Sequence, residues 1–365
     1  MTCNEHARGT TLGVMLLLLV PCVTCSAYSA QTDSSHYQYA VSDRDGSVTI
    51  TGYRGPGGAI MIPGTLDGRP VTTIARRAFM GNRNITSAVI ADTITYIGRE
   101  AFRDCRELTT IFISSSVTRI ARPAFSRNPK LANIHVAEDN PAFRSVDGVL
   151  FTKDMTAIRR YPHARAGDYV IPDTVTVIMD EAFRFCRRLT AVTIPDGVTF
   201  IGKQAFRGCD RLTEIALPKS LVTLTHRAFK DCINLESIVI PEGVTVIQRR
   251  TFRGCVNLER VTLHGKLTTI EGQAFHGCSS LKGITIPASV TRLGCGREGE
   301  VFVGCNSLSR IAFLGDAPSL SRPGMFSGDD PPQVTVYRLK SAAGWPEPGL
   351  EWDGVPTALF TPEDS

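Results

Sequence analysis

Apolar and polar residues follow a pattern in this chain that repeats every 23 residues. From Ala182 to Pro287, five successive segments carry a phenylalanine, a cysteine three residues later and a leucine three residues after that. Between these groups lie two short stretches with apolar residues at alternate positions, as in Leu212–Leu217 and Leu221–Leu224. Because successive side chains of a strand point to opposite faces, the pattern predicts two short strands in each repeat.

The group around each phenylalanine lacks this alternation. Its sequence, as in Arg227–Cys232 (RAFKDC), fits one helical turn, and Pro123 stands where such a turn would begin. Self-similarity at a fixed period is typical of stacked repeats, in which each unit buries its apolar side against its neighbours. The chain is therefore predicted to be an α/β repeat solenoid of 23-residue coils, with short parallel strands and one helical turn per coil. Successive coils should lie about 4.8 Å apart.

A solenoid of this kind needs a cover at each end, because its first and last coils have no outer neighbour. The repeats are predicted to occupy residues 63–313. Residues 31–62 contain alternating runs broken by Asp45-Gly46, which predict an N-terminal hairpin cap. Residues 314–365 are predicted to form a C-terminal cap and tail, in which Trp345 and Trp352 cover the last coil.

The array has two irregularities. At about residues 138–170 the phenylalanine–cysteine group is missing and Asp147-Gly148 gives a second hairpin signal, so an irregular coil with a hairpin is expected. Between Phe275 and Phe302 four residues are inserted, around Cys295.

Residues 1–30 are predicted to be a signal peptide. The apolar run at 12–20 is preceded by Arg8 and followed by small residues, and it is too short to span a bilayer, which takes about 20 residues. Cys22 or Cys25 leaves an alternative open, the lipidated first residue of a bacterial lipoprotein. The protein is therefore expected to be exported to the cell surface, the medium or the periplasm. Its one expected link to a membrane is such a lipid anchor.

Length and composition exclude some classes of function. A repeat array grows linearly, so 365 residues can form one unit, which we expect to be a monomer. The net charge of +5 is well below the excess typical of nucleic-acid-binding proteins. The sequence contains no G-x-S-x-G, no phosphate-binding loop and no H-E-x-x-H, so no catalytic residue is predicted.

Seven cysteines occupy the same position in their repeats. Metal sites favour closely spaced C-x-x-C pairs, whereas this spacing puts one inward-pointing cysteine in each coil. We therefore predict a structural ladder of buried thiols, with neither metal nor cofactor. Asn82 and Asn128 fill the same position in other repeats, which suggests a side chain that donates to a carbonyl of the neighbouring turn. Cys295 is the exception and could either pair with Cys305 or remain exposed. The ladder consists of Cys105, Cys186, Cys209, Cys232, Cys255, Cys278 and Cys305.

A basic residue directly follows the phenylalanine in most repeats. Stacking would align these residues into a basic stripe that attracts an acidic partner or a polyanion. Charges about 5 Å apart repel one another, so the stripe is expected to add no stability of its own. The alternative is a solvated edge that keeps the array soluble. The candidate partner-binding residues are Arg103, Arg184, Arg207, Lys230 and Arg253.

The unit IPxxVTxIGxxAFxxCxxLTxI resembles the leucine-rich repeat of the BspA-like (Treponema-type) bacterial class. The resemblance runs from about Tyr37 to about Phe360 and includes the opening DGSVTITGYRG, the irregular coil DNPAFRSVDGVLF and the ending VYRLKSAAGW. This sequence departs from the pattern at Val222, where threonine is usual, at His264, where proline is usual, and at the inserted loop around Cys295.

The resemblance implies a secreted or surface protein that binds host matrix proteins, other cells or envelope partners, and it brings no catalytic residues. The leading hypothesis is therefore an exported, non-catalytic, protein-binding solenoid. The alternative is a structural or assembly component of the envelope that binds the cell's own proteins.

Overall fold

A computed structural model of the protein describes residues 33–296, 299–321, 323–326 and 333–359. The predicted signal peptide and its cysteines lie outside these ranges. Within them the backbone forms a short 3-10 turn at Ser34–His36 and 29 strands, most of them between two and five residues long. The strands are β1 Tyr37–Val41, β2 Val48–Tyr53, β3 Gly58–Ile62, β4 Thr65–Leu66, β5 Arg69–Ile74, β6 Ile85–Ile90, β7 Tyr96–Ile97, β8 Thr110–Ile113, β9 Arg119–Ile120, β10 Asn133–Val136, β11 Phe143–Val146, β12 Val149–Thr152, β13 Ala157–Arg160, β14 Gly167–Val170, β15 Val177–Ile178, β16 Leu189–Thr193, β17 Phe200–Ile201, β18 Thr223–Leu224, β19 Ser237–Val239, β20 Val246–Ile247, β21 Arg260–Thr262, β22 Thr269–Glu271, β23 Gly283–Ile286, β24 Arg292–Cys295, β25 Arg310–Phe313, β26 Ser319–Leu320, β27 Thr335–Arg338, β28 Glu351–Trp352 and β29 Val355–Leu359.

Two kinds of strand alternate along the chain and build two sides of the solenoid. The strands that follow the repeated leucine pair in parallel between coils, in the orders β3-β6-β8-β10 and β23-β25-β27-β29. The shorter strands pair in the same way, as in β13-β15-β17-β18 and β20-β22-β24-β26. The register advances by one repeat per coil, so that Val177 lies beside Phe200 and Phe200 beside Thr223. The predicted parallel-strand solenoid is confirmed.

The third side of each coil consists of turns, and the predicted helical turn is not confirmed. In the coil of Phe183, the N–H of Ala182 donates to the carbonyl of Met179, three residues earlier. The N–H of Phe183 itself donates to the carbonyl of Ala205 in the next coil. A helix would keep both bonds within the segment, whereas here alternate N–H groups link neighbouring coils. Glu181 has a left-handed φ of 60°, which also interrupts a helix.

The repeated phenylalanines stack along the axis of the solenoid. From Phe183 to Phe302 successive ring centroids are 4.9 to 5.8 Å apart and the rings are nearly parallel. Tyr161 and Phe326 continue the stack in coils that lack the repeated motif, with centroids 5.1 and 5.9 Å from their neighbours. Full burial of one such ring contributes roughly 1.5–3 kcal/mol, so the stack is a major source of stability.

The segment Leu212–Leu217, predicted as a strand, is not one in the structure. Leu212 and Ile215 are buried as expected, but Leu217 is only half-buried. Glu214 and Ala216 lie between them, and both residue types are poor strand formers. The sheet is therefore interrupted between β16 and β19.

An irregular hairpin separates two parts of the core. Strands β11 and β12 pair antiparallel across Asp147 and Gly148, which both have left-handed φ values, as a tight hairpin turn requires. One cluster of buried side chains extends from Tyr37 to Leu150, and a second from Val149 to Val355.

Antiparallel pairs also stand at the two ends of the solenoid. At the N-terminal end β1 pairs with β2, and at the C-terminal end β28 pairs with β29. The rings of Trp345 and Trp352 pack on Phe313, with centroids 4.8 and 5.4 Å away.

Candidate protein-binding surface

The ladder cysteines lie one per coil beside the phenylalanine stack, and all seven are free and buried. Each Sγ faces the carbonyl oxygen that belongs to the stacked aromatic residue of the preceding coil. The distance is 3.0 Å from Cys232 to Phe206 and 3.1 Å from Cys255 to Phe229. Burial raises the pKa of the Cys232 thiol to about 12, so it stays protonated near neutral pH and can donate this bond.

Asn128 makes the same contact with an amide group. Its Nδ2 donates to the carbonyl of Phe102, at 2.9 Å, and its Oδ1 accepts a bond from the N–H of Cys105, also at 2.9 Å. Cys295 is free and buried, and Cys305 donates to the carbonyl of Phe275 at 3.1 Å. The ladder cysteines and Asn128 therefore tie successive coils together and are not accessible to a partner. Cys295 is neither paired with Cys305 nor exposed, so both alternatives expected for it are wrong.

The five basic residues predicted to bind a partner do lie on the turn side, but carboxylates or amides are inserted between them. Arg207 Nε and Lys230 Nζ both lie 3.1 Å from Asp231 Oδ2. Arg184 Nη1 lies 2.9 Å from Glu181 Oε2.

The remaining two of the five have local partners as well. Arg103 pairs with Glu100, and Arg253 donates to Gln273. The row is therefore not composed of cations alone, because Glu100, Glu181 and Asp231 lie within it and pair with four of its five members.

The wider turn side has a strong surplus of positive charge. Eight ten-residue segments around the repeated phenylalanines hold 20 of the chain's 40 Lys and Arg residues but only 8 of its 35 Asp and Glu residues. The other parts of the chain are therefore net acidic, so the surplus distinguishes this side. Exposed members include Arg187 and Lys130, whose side chains are 66% and 57% accessible. The segments are 75–84, 98–107, 121–130, 179–188, 202–211, 225–234, 248–257 and 271–280.

An aromatic ring lies within this basic surface. Phe185 is half-buried, and the guanidinium carbons of Arg184, Arg187 and Arg207 lie 4.8, 5.7 and 5.5 Å from its ring centroid. The ring covers Gly208 of the next coil, where a Cβ would come within 2.5 Å of a ring atom. Cation–π contacts of this kind hold long side chains in place at a surface.

Sequence reasoning missed a buried polar pair in the irregular coil. Arg160 and His163 flank Tyr161, and their side chains are in contact. Arg160 Nη1 also donates to the carbonyl of Glu181 in the next coil, at 2.6 Å. Burial, reinforced by the charge of Arg160, lowers the pKa of His163 well below its ordinary value. The sequence offered one signal for this pair: Tyr161 precedes Phe183 by nearly one repeat, which would place Tyr161 at the phenylalanine position of its coil and its neighbours close to the core.

The ranges described contain no group of three or more His, Cys, Asp or Glu side chains that could hold a metal ion. No helix within them is both long enough and apolar enough to cross a membrane.

The sequence profile of the BspA type leucine-rich repeat region matches residues 69–154 and 176–309, in 6 copies. These two ranges make up more than half of the chain. The chain belongs to the BspA-type leucine-rich repeat family. The resemblance seen in the repeat consensus is thereby confirmed, and the unmatched residues between the two ranges fall within or next to the irregular coil. Leucine-rich repeat solenoids are typically non-catalytic scaffolds that bind other proteins.

Solved structures share the fold of this BspA-type protein. The pneumococcal vaccine antigen PcpA is 19% identical, with a TM-score of 0.52 over 84% of this chain and 92% of the antigen. A leucine-rich repeat protein from Eubacterium ventriosum is 23% identical, with a TM-score of 0.52 over 80% of this chain and 96% of that protein. At these identities the likeness shows the fold alone. No protein of curated function matches the sequence.

Proposed function

We propose that this BspA-type chain is an exported, non-catalytic binding protein that presents its turn side to an acidic surface of another protein. The observation that carries the proposal is the separation of charge, since 20 Lys and Arg residues accompany only 8 Asp and Glu residues in the turn segments. A partner with an acidic surface would be attracted to this side and repelled from the others.

The five predicted residues give this surface fixed positions. Neighbours such as Glu181 and Asp231 hold their side chains in place. The side chains nevertheless remain partly exposed, with accessible fractions of 24% for Arg207 and 28% for Arg103. Ordered side chains lose less conformational entropy on binding, so the internal ion pairs favour recognition as well as stability. The more exposed Arg187 and Arg188 would supply longer-range attraction.

The partner on this proposal is a host matrix protein or an envelope protein, and a polyanion with the same charge would compete for the surface. The chain would act as a monomer at the cell surface, in the medium or in the periplasm, and a lipid on Cys22 or Cys25 is the alternative to a cleaved, soluble form. Proteolysis of intact cells separates the two candidate roles. Digestion of the protein from outside favours an adhesive role, and protection until the outer layer is opened favours envelope assembly.

A pull-down with the mature chain as bait, against host matrix proteins and envelope proteins, identifies the partner. The test of the surface is a charge reversal at two exposed turn-side residues, Arg188→Glu with Arg211→Glu. The matched control reverses two exposed charges elsewhere, Lys219→Glu with Arg292→Glu. The first pair should weaken binding and flatten its dependence on salt, and the control should not. Equal effects of both pairs would show that net charge alone attracts the partner and would remove the turn side as the site.

A further inference from the structure

The ladder of hydrogen bonds on the turn side is interrupted where the coil of Phe125 meets the irregular coil that follows. In the preceding coil the N–H of Phe102 donates to the carbonyl of Ala124, at 2.9 Å, and so links one coil to the next. By its place in the repeat, the N–H of Phe125 faces the irregular coil, but none of the described residues accepts a bond from it. Phe125 is 3% exposed, so this N–H is buried without a partner, which costs free energy.

A small cleft lies at this interruption, and we call it the junction cleft. The residues that line it include Arg122, Phe125, Leu150, Arg159 and Arg160. Its volume is about 30 Å³, which is room for about two water-sized groups. The oxygens of a carboxylate group fit this space, whereas a phosphate group or a sugar ring is too large for it.

Two buried donors of the junction cleft have no partner among the residues described. One is the N–H of Phe125, and the other is Nε of Arg160, a residue that is 6% exposed. The Arg160 side chain is fixed in place, because Nη1 donates to the carbonyl of Glu181 at 2.6 Å and Nη2 contacts the ring of His163. Its Nε therefore cannot turn away toward solvent, and an acceptor that enters the cleft can satisfy both donors.

The guanidinium groups around the cleft repel one another. Burial, together with the charge of Arg122, lowers the pKa of Arg159 to about 10. Arg122 stands at the entrance, since its side chain is 43% accessible, and the one described acid that pairs with it is Asp180. Nη1 of Arg122 and Oδ2 of Asp180 are 3.9 Å apart, which is too far for a hydrogen bond, so the donors of Arg122 remain available.

The two acids that line the cleft are held by other groups. Oδ1 of Asp180 accepts a bond from the N–H of Lys203, at 2.9 Å. Oε2 of Glu181 lies 2.9 Å from Nη1 of Arg184. The surplus of positive charge at this junction favours an anion. Against the two carboxylates stand four guanidinium groups, those of Arg122, Arg159, Arg160 and Arg184.

We propose that the junction cleft binds one carboxylate group, supplied by an Asp or Glu side chain of a partner protein. Its oxygens accept hydrogen bonds from the N–H of Phe125, from Nε of Arg160 and, at the entrance, from Arg122. Bonds to a charged acceptor are roughly twice as strong as neutral ones, so the cleft favours a carboxylate over the waters that it displaces. The partner as the source of the carboxylate rests on the turn-side function proposed above, whereas the capacity of the cleft does not.

Acetate tests the capacity of the cleft without a partner. The melting temperature of the full mature chain is measured at neutral pH while sodium acetate replaces sodium chloride at constant ionic strength. It should rise and then level off, because an anion that binds the folded state alone stabilises it until the site is full. The substitution Arg122→Gln removes the charge at the entrance and should abolish this saturable rise.

The matched control is Arg99→Gln, which changes the exposed arginine at the same place in the preceding coil. There the N–H of Phe102 is already paired, so this variant should keep the rise seen with acetate. Both variants should melt in chloride as the wild-type chain does, because neither arginine makes a close ion pair in the part of the chain that the structure describes.

A fluorescein-labelled hexaglutamate peptide tests the source of the carboxylate. Its Kd, measured by fluorescence anisotropy, should rise about tenfold in Arg122→Gln and change little in Arg99→Gln, although each variant lacks one positive charge of the turn side. The variant Arg188→Glu with Arg211→Glu should still show the rise with acetate, because neither residue is among the described residues that line the cleft. Failure of the turn-side proposal is thus distinguishable from failure of this one.

Three outcomes would overturn the proposal. Absence of a saturable rise with acetate would show that water alone fills the cleft. A rise that persists in Arg122→Gln would place the carboxylate elsewhere on the chain. A rise confined to the wild type and Arg99→Gln, with hexaglutamate bound equally by all three chains, would show a site for free carboxylates that a protein side chain does not reach.

Discussion

The Sγ of Cys232 donates a hydrogen bond to the backbone carbonyl of Phe206 in the preceding coil, at 3.0 Å. The carbonyl belongs to the residue whose ring stacks on Phe229, in the coil of Cys232, with centroids 5.3 Å apart. One coil thus meets the next through two contacts of the same residue, one made by its ring and one by its backbone carbonyl. The same carbonyl also accepts a bond from the N–H of Cys209, at 3.2 Å, so the thiol is its second donor, and a small weak donor fits that position in the core.

Burial of the ladder predicts slow reaction with thiol reagents. Among the eight cysteines of the described ranges, the native protein should be labelled first at Cys295, which is 8% exposed, whereas the seven ladder cysteines are all 0% exposed. After unfolding, all eight should react. Mass spectrometry of tryptic peptides after timed exposure to iodoacetamide measures the order. Fast native labelling of several ladder cysteines would contradict the buried stack.

The two clusters of the core predict local effects of truncating the stack. Phe229→Ala should cost about 3–5 kcal/mol, because the rings of Phe206 and Phe252 each lose a neighbour. Phe79→Ala should loosen the N-terminal cluster, where its ring lies 5.5 Å from Tyr53. Stability in a repeat protein is a sum of local and neighbour terms, so each change should act mainly within its own cluster.

Hydrogen exchange read by mass spectrometry distinguishes these effects. Phe229→Ala should speed exchange mainly between residues 149 and 355, and Phe79→Ala mainly between residues 37 and 150. Uniform loss of protection along the whole chain in both variants would show a single cooperative core and contradict the division at the irregular hairpin.

The sequence predicts the solenoid well because its period is enforced by contacts between equivalent residues. The phenylalanines and cysteines recur at one position, since each must meet its own counterpart in the next coil. The turn geometry was not predicted because the N–H of Phe183 could donate either to a carbonyl of its own turn or to the carbonyl of Ala205. The position of the neighbouring coil, which the local sequence does not show, determines that it donates to Ala205. Local propensity favoured a helix, and contact between coils overrode it.

The ion pairs of the turn side escaped prediction for a different reason. Asp231 follows its phenylalanine by two residues, whereas Glu181 precedes its phenylalanine by two. Glu100 shares the position of Glu181, so the acids of the basic row are divided between two positions of the repeat, and neither position is acidic in every coil. The stacking of Tyr161 on Phe183 was not predicted, because the irregular coil lacks the phenylalanine–cysteine group from which the register of the other repeats is read.

These ion pairs predict that the basic row contributes to stability. Replacing Arg207 and Lys230 with Ser leaves Asp231 without its two cations. Partly exposed pairs contribute roughly 0–1 kcal/mol each, so the melting temperature should fall slightly. The loss should shrink in high salt and in an Asp231→Asn background, where the pairs are already absent. Thermal unfolding of the four variants gives the coupling, and zero coupling would mean that the pairs add no stability.

The buried His163 predicts that the protein loses stability in mild acid. Its pKa in the folded chain is lowered, chiefly by burial, so the folded state stays neutral where the unfolded state takes up a proton. Stability from this group is therefore present above the unfolded pKa of about 6.5 and is lost as the pH falls toward the folded value. The loss approaches about 1.4 kcal/mol per pH unit once the unfolded histidine is fully protonated.

Urea unfolding at about pH 7.5 and at about pH 5.5 measures the effect, because only the lower value protonates an unfolded histidine. Other histidines with lowered pKa values, such as His135 and His226, add to the slope of the wild-type chain. The His163→Gln variant keeps a polar side chain beside Arg160 but cannot titrate. It should be less stable than the wild type at the higher pH and should lose less stability on acidification. Identical losses in the two proteins would show that His163 is already accessible to protons in the folded chain, and would contradict the burial that places it beside Arg160.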